Sequence, residues 1–289
     1  MSGLPRSVES WRNAGSFLDV DGRSVFVTGE GDRGSDVLIL HGFPASSYDW
    51  RNVIPHLAGK ARVTAFDFLG YGLSDKPADP RVTLFDQADL AEQIAAEHDI
   101  ERCAIVAHDM GDTVAAELIH RHNAGELSFE IDRVILTNGS IYIDMAQLSP
   151  GQQLLLQLPD EPLAESLPLD GFKPGIADTF SKEHQPSDAE VEAMIALIAL
   201  GGGDRLLPRL IRYIEERRAN QERWTDALNE YTGLLYAIWG EQDPIAVVAM
   251  AHELKAQRPM TRVETWPDVG HWPEIEVPER LAGAIMERL

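Results

Sequence analysis

An acid stands at the point where a strand pattern gives way to a helix pattern. Ala107-His108-Asp109-Met110-Gly111 follows an apolar run, Cys103–Ala107, and precedes a helical pattern, Asp112–His122. A sharp strand–turn–helix junction pushes the side chain at its tip out over the sheet edge, and the turn needs small neighbours. That is the geometry of a nucleophile elbow. A serine at this tip would carry out acyl transfer. Asp109 attacking an acyl carbon would form a reactive anhydride, so a carboxylate is better suited to displacement at an sp3 carbon that carries a leaving group.

Further groups must converge on Asp109 if it is catalytic. Of nine histidines, His271 is the expected base. It lies late in the chain, in Val269-Gly270-His271-Trp272-Pro273, after the last predicted strand. Asp243, in Gly240-Glu241-Gln242-Asp243-Pro244, follows the preceding strand and is the expected acid that orients it; Asp144 is a rival, and Asn138 carries no charge. His41-Gly42-Phe43-Pro44 follows another strand end, so the backbone N–H of Phe43 is an expected oxyanion donor together with that of Met110. The glycine-punctuated segment Asp67–Asp75 reads as a rim-shaping loop. His41 and His108 read as supporting hydrogen-bond partners and Trp50 and Trp272 as packing residues. His41, Trp272 and Tyr142 are also carried as candidate substrate contacts. Asp112 reads as a charge that suits a helix N-terminus. No metal-ligand spacing or cofactor motif is visible, so no metal and no cofactor are expected.

These groups need a scaffold. Ser16–Val20 and Ser24–Thr28 suggest a hairpin around Asp21-Gly22. Val37–His41, Arg62–Phe66, Cys103–Ala107 and Arg133–Thr137 read as strands, alternating with helical patterns at Tyr48–Leu57 and Phe85–Glu97. That alternation predicts an α/β chain with a mostly parallel sheet flanked by helices. After Gly139 the rhythm breaks. Residues 140–232 hold helical patterns at Asp188–Leu200, Asp204–Arg218 and Gln221–Glu230, a Pro-rich stretch from Pro159 to Pro186, and the glycine run Gly201–Gly203. Strands resume at Leu234–Trp239 and Arg262–Thr265, and Glu279–Leu289 closes as a helix. The expected organisation is a core of residues 1–139 and 233–289 with residues 140–232 inserted as a helical lid over the strand C-terminal ends, where open α/β sheets place their sites.

Length and composition set outer bounds. At 289 residues with 44% hydrophobic content the chain can bury one large domain. A net charge of −22 argues against a nucleic-acid partner and against anionic membrane surfaces. Met1–Arg12 lacks the apolar core of a signal peptide, and Ala193–Leu200 is too short to span a bilayer. The single cysteine, Cys103, reads as inert core, and a cytoplasmic setting is expected.

The elbow, the His-Gly-Phe-Pro motif and the order nucleophile–acid–histidine resemble the α/β-hydrolase family, over nearly the whole chain from Val37 onward. The His-Asp-x-Gly elbow is similar to the branch with an aspartate nucleophile, which includes epoxide hydrolases and haloalkane dehalogenases. The elbow helix, Thr137-Asn138-Gly139 and the stretch Arg212–Leu228 look closest to the mesoderm-specific-transcript-like group. The resemblance implies an α/β-hydrolase fold and a two-step reaction: Asp109 forms an alkyl ester, and water activated by His271 hydrolyses it. It also implies a lid tyrosine that protonates an epoxide oxygen, a role that falls to Tyr213, with Tyr142 as the second candidate.

Three functions are weighed. An epoxide hydrolase is favoured. A haloalkane dehalogenase would need N–H donors around a halide, but Met110 stands where that group carries tryptophan, and Phe43 is not asparagine; a lid residue such as Trp224 would have to face Asp109. A ligand-binding or signalling protein would keep the pocket without turnover. The apolar lid residues Met194, Ile198, Leu206 and Leu210 predict a small or medium apolar electrophile as substrate. The chain is expected to act as a monomer or a homodimer.

Overall fold

A computed structural model describes residues 3–289, so the reading of the N-terminal segment lies outside the described residues at Met1 and Ser2. Eight strands form one sheet: β1 (Ser16–Val20), β2 (Arg23–Glu30), β3 (Ser35–Leu40), β4 (Ala61–Phe66), β5 (Arg102–His108), β6 (Glu130–Thr137), β7 (Leu234–Gly240) and β8 (Arg262–Trp266). Their order is β1-β2-β4-β3-β5-β6-β7-β8. β1 and β2 pair antiparallel, as does β2 with β4. From β4 to β8 every pairing is parallel.

The sheet is buried on both faces, which explains its unbroken apolar runs. Leu38 and Leu40 join one core with Ile105, Ala107 and Leu136. Val37 and Ile39, one residue out of phase, join the other with Ala104, Val106 and Ile135. Alternate side chains of a strand point to opposite faces, so each run serves two cores at once.

Register brings the functional loops together. Leu40 pairs with Ala107, His108 with Thr137, Thr137 with Ile238, and Gly240 with Trp266. The loops leaving β3, β5, β6, β7 and β8 therefore emerge along one sheet edge. The chain reverses direction across the sheet between β4, β3 and β5, which puts the Phe43 loop beside the Asp109 elbow at the kind of switch point where α/β sheets form clefts.

Between β6 and β7 the chain is helical, with helices at Pro150–Gln157, Lys173–Ala177, Asp188–Ala199, Gly203–Leu210, Tyr213–Ala219 and Gln221–Glu230. The predicted helix Asp204–Arg218 is two helices. Pro208 lacks an amide proton and lies inside the first. At the junction Arg212 turns its guanidinium to the carbonyls of Leu156, Leu158 and Pro208. Tyr48–Leu57 is likewise a 3-10 turn, Ser47–Asn52, followed by a short helix, Ile54–Leu57. Helices at Arg6–Ala14 and Ala249–Gln257 have no counterpart in the sequence reading. Gly201 and Gly202 hold φ of 63° and 80° and make the tight turn between two helices, a conformation other residues avoid. Among the described residues no helix is long and apolar enough to cross a membrane.

Candidate active site

Asp109 sits between β5 and the helix Met110–Ala124 with φ 47° and ψ −110°, in a region unfavourable for any residue with a Cβ. Surrounding structure must hold it there. Gly42 is part of that support: a Cβ at this position would stand 2.7 Å from Asp109 Cβ. The close approach lets the Phe43 N–H donate to Asp109 Oδ2 at 2.9 Å. Met110 opens the helix, where first-turn N–H groups have no partner within the helix. Its sulfur accepts from the Tyr71 hydroxyl at 3.3 Å.

His271 and Asp243 meet as the sequence order requires. His271 Nδ1 lies 2.8 Å from Asp243 Oδ2. The N–H groups of Ile245 and Ala246 donate to Asp243 Oδ1 at 2.7 and 2.9 Å. Burial lowers the pKa of His271, but the charge and hydrogen bond of Asp243 outweigh it, with Asp109 adding to them, and the net shift is upward. Asp144, the rival acid, is exposed on a separate turn. Asn138, set aside for lack of charge, instead braces the acid. Its amide donates to Asp243 Oδ2 at 2.8 Å, while its oxygen accepts from the Gly240 N–H at 2.9 Å.

A cavity of about 640 Å³ opens over this edge. Phe43, His271 and Trp272 line it, with Leu148, Leu155, Phe172 and Leu207 among its apolar walls, whereas Asp109, Met110 and Tyr213 lie behind that lining and do not form part of it. Trp272 stands edge-on to His271, with ring centroids 4.8 Å apart, and donates its indole N–H to Thr179. Tyr213 is buried, its ring 5.3 Å from that of Phe43, and Gln152, a cavity residue, acts on its hydroxyl. Burial, reinforced by the Asp109 charge, raises the pKa of the Tyr213 phenol far above its ordinary value.

Two expected substrate contacts lie elsewhere. His41 does not line the cavity; its Nδ1 donates to the Gly42 carbonyl and its Nε2 accepts from the Phe68 N–H at 2.9 Å, so both ring nitrogens are committed to holding two loops together. Tyr142, half-buried, is also absent from the cavity wall and is within electrostatic reach of Glu253. Trp224, the lid residue a halide site would need, donates its indole N–H to Glu117 at 3.0 Å. Asp67 ties down the glycine-punctuated loop, since the Ser47 and Leu73 N–H groups donate to its carboxylate at 2.7 and 2.6 Å.

Sequence reasoning missed Arg217. This side chain, on the helix Tyr213–Ala219, is 2% exposed. It donates from Nε to Thr113 Oγ1 and from Nη2 to the backbone carbonyl of Asp109. Asp112 is fully buried beneath it and does not cap the helix: Oδ1 accepts weakly from the Thr137 N–H, and Oδ2 has no partner. Burial holds the Asp112 carboxyl well above the usual range, against the pull of Arg217. An isolated arginine on a helix carries no sequence signal that it points inward. Among the described residues no group of His, Cys, Asp and Glu has the geometry of a metal site.

The sheet order, the strained elbow and the His–Asp pair behind it define an α/β hydrolase, and the chain belongs to that family, whose model matches residues 37–278. Over 98% of both chains it is 39% identical to the "Putative hydrolase LipZ" of Mycobacterium tuberculosis. It is 31% identical to the mesoderm-specific transcript homolog protein of Homo sapiens, over 98% of this chain and 88% of that one. A haloalkane dehalogenase of Sphingobium indicum is 37% identical over 110 residues, 37% of each chain. Among solved structures, an α/β hydrolase fold protein from Burkholderia ambifaria superposes with a TM-score of 0.76 at 24% identity, covering 94% of this chain and 97% of that one, a likeness of fold alone.

Proposed function

We propose that this α/β hydrolase opens an epoxide through a covalent ester on Asp109. The observation that carries the reading is the carboxylate at the elbow tip with the Phe43 N–H 2.9 Å from Oδ2. One carboxylate oxygen is thereby held in the oxyanion position, leaving the other to attack.

In the first step Asp109 Oδ1 attacks an epoxide carbon, the carbon–oxygen bond of the ring breaks, and the resulting alkoxide takes the Tyr213 proton. The upward shift of the phenol makes it a weaker acid while Asp109 is charged, and esterification of Asp109 removes that charge's share of the shift. In the second step His271 takes a proton from water, and the hydroxide adds to the Asp109 carboxyl carbon. The Phe43 and Met110 N–H groups stabilise the oxyanion, and loss of one such donor typically costs about 2.7–4 kcal/mol. Collapse breaks the bond to the alkyl oxygen, which leaves with the His271 proton; the restored carboxyl group returns its proton to Tyr213. The sum is epoxide plus water to diol.

The cavity supports a neutral apolar substrate. Its volume lies within the range of small-molecule sites, and no lysine or arginine lines it. The dehalogenase reading has the partial identity to such an enzyme in its favour, but the indole N–H groups of Trp224 and Trp272 are already committed to Glu117 and Thr179.

The test is covalent trapping. His271→Gln should permit attack and stall ester hydrolysis. Incubated with pooled neutral epoxides, it should gain the mass of one whole epoxide, and Asp109→Ala should abolish the gain. An alkyl-only gain with released halide from pooled haloalkanes would replace the epoxide reading with dehalogenation. No adduct from either pool would favour a binding protein.

A further inference from the structure

Behind the catalytic histidine lies a second buried pair that the proposed reaction does not use. His108 precedes the nucleophile and is 1% exposed; Glu274, three residues after His271, is fully buried. His108 Nε2 and Glu274 Oε1 are 3.4 Å apart without forming a well-aligned hydrogen bond, and neither they nor Glu274 Oε2 have any hydrogen-bond partner. The His108 ring packs 5.0 Å from His271 and 5.4 Å from Trp272.

The hydrogen bonds fix where the protons sit. His108 Nδ1 is 3.0 Å from the Thr137 carbonyl and 3.4 Å from Thr137 Oγ1. The carbonyl can only accept, and the Thr137 hydroxyl spends its own proton on the Ala107 carbonyl at 2.8 Å. Nδ1 must therefore carry a hydrogen. In a neutral ring Nε2 is then a lone pair that needs a donor, and a carboxylate cannot supply one.

Glu276, on the same short turn, shows the contrast. Its carboxylate accepts from the N–H groups of Ser181, Gly270 and Trp272 at 2.9–3.1 Å. Glu274 forms no such bond, with only its own backbone N–H acting on the carboxyl, and an ionised carboxylate buried with so little support is costly. The charged groups around the pair favour neutrality too. Asp49, Glu276 and Asp109 act on Glu274, while His271 and His41 act on His108. Burial pushes the Glu274 carboxyl up and the His108 imidazole down.

We propose that Glu274 holds a proton and donates it to His108 Nε2, and that this neutral pair is a positioning device, keeping an uncharged ring packed against the histidine that must accept a proton from water. A charged His108 would face His271 as a second cation and oppose that protonation. The positioning role rests on the reaction proposed above; the protonation states do not.

The test compares Glu274→Gln, which keeps a donor at every pH, with Glu274→Leu, which has none. Infrared spectra of the wild type should show a protonated-carboxyl stretch that Glu274→Gln removes. Nitrogen-15 spectra of histidine-labelled protein should show His108 neutral with hydrogen on Nδ1 in both wild type and Glu274→Gln. With His271 intact, single-turnover hydrolysis of the Asp109 ester should be unchanged in Glu274→Gln and slowed about tenfold in Glu274→Leu, the effect of one pKa unit at His271. It should also fall at alkaline pH in the wild type as Glu274 ionises, and not in Glu274→Gln. An imidazolium at His108 at neutral pH, or no protonated carboxyl, would overturn the pair. Equal ester hydrolysis in the two variants would overturn the positioning role. If no epoxide reacts at all, the reaction reading falls with that role, and the two spectra still decide the pair.

Discussion

Arg217 donates from Nη2 to the backbone carbonyl of Asp109 at 2.9 Å, and the same nitrogen stands 4.0 Å from the Asp109 carboxylate. A side chain from the helical segment between β6 and β7 thus grips the elbow from above. Its guanidinium also lies 4.8 Å from the Tyr213 ring, so Arg217 touches both protein groups of the proposed first step.

Arg217→Met should therefore harm both stability and ester formation. Removing one member of a buried charged set typically costs about 3–5 kcal/mol, because the remaining charge is left uncompensated. Here that charge is the Asp109 carboxylate, 4.0 Å from Nη2. Asp109→Asn in the Arg217→Met background should recover much of the lost stability, a coupling that denaturant titration of the double-mutant cycle would measure. Additive effects would mean that the two side chains do not interact.

Tyr213→Phe should slow ester formation by about 10²–10⁴-fold, the usual worth of a positioned proton donor. Hydrolysis of an ester already formed should change far less. Rapid-quench mass spectrometry separates the two steps. Equal slowing of both would assign Tyr213 to packing.

The upward pKa shift of His271 comes partly from the Asp109 charge. Asp109→Asn removes that charge, so the His271 pKa should fall relative to wild type, read by NMR titration. In the proposed reaction the same loss would accompany esterification of Asp109 and would make His271 a neutral base over a wider pH range when it is needed. Because the folded pKa lies above the ordinary value of about 6.5, the stabilisation from protonated His271 is fully present below that pH and is lost as pH rises through the folded pKa.

Asp49 carries the opposite kind of shift. Burial, with Glu190 adding to it, pushes its carboxyl up to about 8. The unfolded chain loses this proton near pH 4 and the folded chain only near 8, so the folded state forfeits stability as pH rises between them. Asp49→Asn should raise the melting temperature at pH 8, and the gain should shrink towards zero near pH 4. A pH-independent gain would point to packing rather than ionisation.

Local sequence is enough to specify the sheet and the order of its chemistry. Continuous apolar runs encode strands buried on both faces, and the junction at Asp109, the loop at Phe43 and the late Asp243 and His271 follow strands in an order that the parallel register aligns at one edge. Those signals are carried by spacing and by residues such as Gly42, whose missing Cβ allows the close approach to Asp109. The direction and partners of side chains are settled by packing instead. Nothing local shows that Arg217 turns inward, that Asn138 braces Asp243, or that His41 spends both ring nitrogens on neighbouring loops. Those outcomes depend on distant elements meeting in space, as Phe43 and Arg217 meet Asp109 from 66 and 108 residues away. The break at Arg212 has the same origin, because it is fixed by carbonyls of Leu156 and Leu158 that the helical pattern of residues 204–218 does not contain.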